Sequence, residues 1–132
     1  MHKRLLQAKA YQIITELQDK FFTLSNPVIV KITEDKKFNS IFAAMYSEKE
    51  FINDAGKKEI IHQIKISFDS HWQNDENLAE TLAHELVHAE QNEKGKNDLK
   101  HDRAFFSRLD YILHRIGLPP TSFEYRQAIK KY

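Results

Sequence analysis

The string His84-Glu85-Leu86-Val87-His88 sets two imidazoles and a carboxylate at a spacing suited to metal chemistry. At about 3.6 residues per helical turn, positions four apart lie about 40° from each other on the wheel, so His84 and His88 aim at one point. Two neutral ring nitrogens can hold zinc. Glu85, next to the pair and not itself a ligand, can take a proton from a water on the metal, the division of labour that metal-assisted peptide hydrolysis needs. A catalytic zinc site takes three protein ligands, so a further His, Asp or Glu must come from elsewhere. His101 is the natural candidate, beyond a polar, Gly-containing turn from Glu93 to Lys100 and at the start of the next helical pattern. Glu90, Glu93, Asp98 and Asp102 are carboxylates that could serve instead. The chain has seven histidines, so the bland alternative is an accidental string on a solvated helix face.

The segment carrying the string must be a helix for this to work, and its pattern predicts one from about Asp75 to Glu93. Leu78, Leu82, Leu86 and Ala89 share an arc with Ala79 and Ala83 beside it; His84, His88 and Thr81 fall opposite, and Glu85 sits at the border. Asn74 or Asp75 suits the N-cap, Asp75, Glu76 and Glu80 suit the positive end of the dipole, and Gly95 suits the stop. A second helix is expected from Asp98 or Lys100 to Ile116, on the stripe Phe105, Leu109, Ile112, Leu113 and Ile116, ended by Gly117 and Pro119-Pro120. Its task is to brace the first helix and carry His101 back to it.

These segments resemble the SprT-like zinc metalloprotease domain: His84-Glu85-Leu86-Val87-His88-Ala89, a polar loop, then His101-Asp102-Arg103-Ala104-Phe105 opening an amphipathic helix. The resemblance implies a zinc ion held by His84, His88 and His101, with Glu85 as catalytic base. It also implies an α+β zincin-like fold, in which an N-terminal helix and a short three-stranded sheet precede the HExxH helix and its bracing helix. A zinc-dependent endopeptidase acting on protein substrates is the implied function, and an association with DNA-bound proteins enters through the resemblance alone. Specific motifs span about Leu78 to Ile116; elsewhere only the order of elements agrees. Two features depart from the family. Asp102 stands where a Gly usually follows the third His, so it can cap the helix instead, and no cysteine-bearing zinc ribbon is present. The competing class is a metal-stabilised interaction module or nucleic-acid adaptor without catalysis.

At 132 residues the chain is expected to form one domain, residues 1–132, with a core of its own. Hydrophobic residues at 41%, with three Gly and three Pro, argue for a folded, helix-rich globule. A net charge of +1 gives no strong field for nucleic acid or membrane. With no cysteine, disulfides and thiolate metal sites are excluded and any metal must be held by His or carboxylate. No apolar leader core or membrane-length run is seen, so a cytoplasmic monomer is the default expectation.

Along the chain, a packing helix is expected from about Lys3 to Thr23 on the stripe Leu6, Ala10, Ile13, Ile14, Leu17, Phe21 and Leu24. Three strands are expected, over Val28–Ile32, Ser40–Ser47 and Lys58–Phe68, with Glu48 to Lys57 a polar connection. In the last strand Ile60, His62, Ile64, Ile66 and Phe68 share a face. A strand bordering the cleft could pair with an extended peptide, but the pattern does not say which. His62 reads as a packed or solvated residue rather than a ligand, Trp72 beside His71 as a core anchor at the helix entry, and Tyr111 as a packing residue rather than an oxyanion donor. A short helix is expected over Ser122–Lys131.

Overall fold

The computed structural model describes residues 3–34, 44–68, 75–95, 100–122 and 126–127. The expected strand residues 40–43, the pair His71 and Trp72, Asn74, Asp98, and most of the expected last helix lie outside the described residues; Arg126 and Gln127 within it are helical. The elements run α1 (Lys3–Phe21), β1 (Val28–Thr33), β2 (Ala44–Ile52), β3 (Lys58–Ser67), α2 (Asp75–Glu93) and α3 (Arg103–Arg115). This is an α+β fold in which three helices pack with a mixed sheet of order β1-β3-β2, β1 parallel and β2 antiparallel to β3. Among the described residues no helix is long and apolar enough to cross a membrane.

The apolar stripes account for this arrangement. Leu6, Ala10, Ile14 and Leu17 of α1 and Phe105, Leu109, Ile112 and Leu113 of α3 are buried in one cluster with Leu78, Leu82 and Leu86 of α2. Val30, Ala44, Ile64 and Ile66 join it, and their register (Val30↔Ile64, Ala44↔Ile66) puts them on a single sheet face. Lys31, Met45, Lys49 and Phe51, on the other face, are exposed. α2 runs through the middle: all residues from Leu82 to Ala89 are buried. The face carrying His84 and His88, opposite the apolar arc, is therefore covered as well. Gly95 and Gly117, at φ 82° and 83°, turn the chain out of α2 and α3, where a Cβ would be strained.

The second strand departs from expectation. β2 extends through Ile52 across the segment read as a polar connection, because a tight turn at Asn53–Lys57 zips it onto β3. There the Asn53 side chain accepts from Ala55 N–H at 2.9 Å and from Lys57 N–H at 3.0 Å. Cross-strand pairing overrides the polar composition of Glu48–Glu50, whose side chains stay exposed or partly so. The Asn53 N–H to Lys57 carbonyl bond, 2.9 Å, also sets the ladder's parity: Ala44, Tyr46 and Glu48 direct their backbone groups away from β3, toward the sheet's edge. At the opposite edge, Val30 donates its N–H to the Tyr11 hydroxyl at 2.9 Å and accepts from Gln7 Nε2 at 3.2 Å, so α1 blocks β1.

α2 is bound to the sheet through buried polar groups. His62 is fully buried; its Nδ1 lies 2.6 Å from the Tyr46 hydroxyl and its Nε2 2.5 Å from Glu93 at the end of α2. Glu93 in turn accepts the N–H groups of Ser25 (2.6 Å) and Asn26 (3.1 Å). Burial, with Glu48 and Glu93 nearby, raises the Tyr46 phenol, which stays protonated. His62 thus bridges the two partners, one at each ring nitrogen. His62→Leu should cost about 3 kcal/mol of unfolding free energy by stranding Tyr46 and Glu93, and Tyr46→Phe about 1 kcal/mol. Urea midpoints measure both; a His62→Leu loss below about 0.5 kcal/mol would refute the tie.

Candidate metal centre

One turn of α2 separates His84 from His88, and their ring centroids lie 5.0 Å apart. His101 arrives from the other side. It precedes Asp102, the N-cap of α3, whose carboxylate accepts from Phe105 N–H at 2.9 Å. Asp102 therefore acts as a cap. His101 Nε2 stands 3.2 Å from His84 Nε2 and 3.0 Å from His88 Nε2. The three imidazoles form a cluster able to hold a metal ion, the one such group among the described residues.

Two alternative carboxylates, Glu90 and Glu93, are engaged elsewhere. Glu90 receives a two-point bond from Arg108, at 3.1 and 3.2 Å, and Glu93 is held by His62, Ser25 and Asn26. Arg108 also bonds the Phe21 carbonyl and lies over the Phe22 ring, joining α3, α2 and the end of α1 behind the cluster. His62 faces Tyr46 and Glu93 as a packed residue. Tyr111 is half-exposed and meets Phe21 edge-on at 6.4 Å, so it packs at the surface instead of in the core.

Three further residues adjoin the cluster. The Phe105 ring underlies all three imidazoles, with centroids 4.8, 4.7 and 5.0 Å from His84, His88 and His101. Gln91, buried one turn beyond His88, lies 2.8 Å from its Nδ1 through Oε1 and donates from Nε2 to the Lys100 carbonyl at 3.0 Å. Tyr46 directs its outward backbone N–H to the Glu85 carboxyl. Phe105 is legible as part of a helical stripe and as the aromatic four residues past His101, whereas the spacing of Gln91, three places past His88, reveals no role at the site.

Burial governs the electrostatics. It drives His84 well below the usual imidazole range, helped by His88 and His101. It lowers His88 to about 4, against the pull of Gln91. At neutral pH these rings carry lone pairs, as metal ligands must. Burial also raises Glu85 to about 8, with the Tyr46 N–H working the other way. A cation in the cluster would favour the charged carboxylate. Glu85 Oε1 lies 3.7 Å from His84 Nε2, while Oε2 is buried with no hydrogen-bond partner.

The donor set fits a divalent ion. Nitrogens about 2.1 Å from a tetrahedral centre are about 3.4 Å apart, close to the two Nε2 separations here. The orphaned Glu85 oxygen sits at the rim as an acceptor. No protein-family model, curated protein or solved structure matches the chain.

One divalent ion per chain is the expected stoichiometry. His101→Ala should lower affinity by more than about a hundredfold, since it removes a ligand rather than a supporting group. Elemental analysis after dialysis tests this: an alanine variant that still holds one equivalent would mean that His101 is no ligand.

Proposed function

We propose that this chain is a zinc-dependent endopeptidase of the SprT-like, zincin type. The observation that carries the proposal is the meeting of three imidazoles, two of them (His84 and His88) held neutral by burial, beside a carboxylate with one unpartnered oxygen. His84, His88 and His101 would hold the ion, in keeping with a zinc site of three nitrogen ligands and one open position. Zinc in such a site supplies Lewis acidity toward a carbonyl oxygen and brings the pKa of a water there to about 7.

The remaining work falls to the chain's own groups. Glu85 takes the proton of the attacking water and returns it to the departing amine, a role suited to a carboxylate raised toward neutrality. The Tyr46 N–H holds that carboxylate at the sheet edge, and Phe105 keeps water from the rear of the ligand rings. β2 is the strand suited to an extended peptide, because its outward-facing edge passes Glu85 at Tyr46 whereas α1 blocks the β1 edge at Val30. The substrate class is therefore an unfolded or extended stretch of protein. DNA-associated substrates rest on the sequence resemblance alone.

Glu85→Gln separates catalysis from metal-dependent scaffolding. The variant should retain its metal while cleavage of casein, assayed with and without DNA, falls by about a thousandfold, the scale of a lost general base. Cleavage by Glu85→Gln at the unaltered rate would rule out the peptidase mechanism and favour an interaction module in which the ion only braces the fold.

A further inference from the structure

The Gln91 side chain bridges the two segments that furnish the metal centre, and its chemistry can be worked out from one end. The Lys100 backbone oxygen can only accept, so the end of the amide that faces it at 3.0 Å must be the NH2 group. The opposite end is then the carbonyl Oε1, which also only accepts. It lies 2.8 Å from His88 Nδ1, and that contact is favourable only if Nδ1 carries the ring proton. In a neutral imidazole the lone pair must then sit on Nε2, the atom 3.0 Å from His101 Nε2 and turned into the cluster. A single backbone carbonyl thus determines, through one amide, which nitrogen of His88 is free to bind an ion.

The same amide acts on the third ligand. Lys100 immediately precedes His101, and Asp102 immediately follows it as the cap of α3. With the Lys100 carbonyl held by α2 and Asp102 fixed on α3, the backbone carrying the His101 ring is restrained from both sides. Gln91 is 6% exposed, so water competes little for either bond.

We propose that Gln91 is a positioning residue of the metal centre, fixing the Nδ1–H tautomer of His88 and the backbone that presents His101. The proposal rests on the assignment of the three histidines as metal ligands and adds how two of them are oriented.

Competition titration with Zn2+ and a chromophoric chelator, together with 15N NMR of the imidazole rings in the metal-free protein, tests it. Gln91→Ala should weaken Zn2+ binding by about 10- to 100-fold, the range typical of lost supporting bonds to a ligand. Its His88 ring should populate both tautomers. Gln91→Glu keeps an acceptor for Nδ1–H but has no donor for the Lys100 carbonyl; it should hold the Nδ1–H tautomer and recover part of the affinity. Recovery by this variant distinguishes orientation of the ligands from simple packing. Wild-type affinity in Gln91→Ala, or an Nε2–H tautomer in the wild-type protein, overturns the proposal. Failure of the wild-type protein to bind Zn2+ would sink the metal centre itself, while the ring spectra would still judge the tautomer assignment without metal.

Discussion

Three imidazoles are forced together in the interior of a small domain, and the rest of the architecture makes that arrangement tolerable. Bringing ring nitrogens within 3.0 to 3.2 Å of one another while removing water strongly disfavours their protonated forms. Neutral rings still carry polar atoms that need partners. Gln91 serves one of them, Phe105 offers an aromatic surface to all three rings, and ring nitrogens of all three histidines converge. That convergence is what makes the cluster able to hold a metal ion.

Positioning such a group takes rigid elements on several sides. α2 supplies two rings at a fixed pitch and is buried along its central turns, so neither ring can swing outward. The third ring comes from the lead-in to α3, whose cap and apolar stripe anchor it to the same core. Polar ties then fix α2 against its surroundings: Glu93 to His62 and the α1–β1 turn, Glu90 to Arg108 of α3. The C-terminal end of the helix is held by charge and hydrogen bonding while its middle is held by packing.

The sheet has unequal edges, which gives the proposed enzyme a direction. Side chains from α1 occupy the outward backbone groups of Val30, while the outward-facing edge of β2 passes Glu85 at Tyr46. One environment accounts for two opposed shifts: desolvation lowers the histidines and raises the carboxylate, because in each case it is the charged form that loses hydration. Unprotonated His84 and His88 rings and a Glu85 carboxyl near neutrality thus arise from the same burial.

The apolar stripes made α1, α2 and α3 legible from the sequence, since a recurrence at three and four residues has one folded solution. The alternation from Ile60 to Phe68 did the same for β3. The spacing of His84, Glu85 and His88 determined that the two rings would share a helix face, because that follows from the pitch of a single helix. Only the tertiary structure decided that His101, and not Glu90 or Glu93, meets them, since those alternatives are distinguished by partners remote in sequence, Arg108 and His62. The extension of β2 through Ile52, the edge it leaves beside Glu85, and the reach of Gln91 to the Lys100 carbonyl were likewise invisible, for no local periodicity encodes a bond between separate segments.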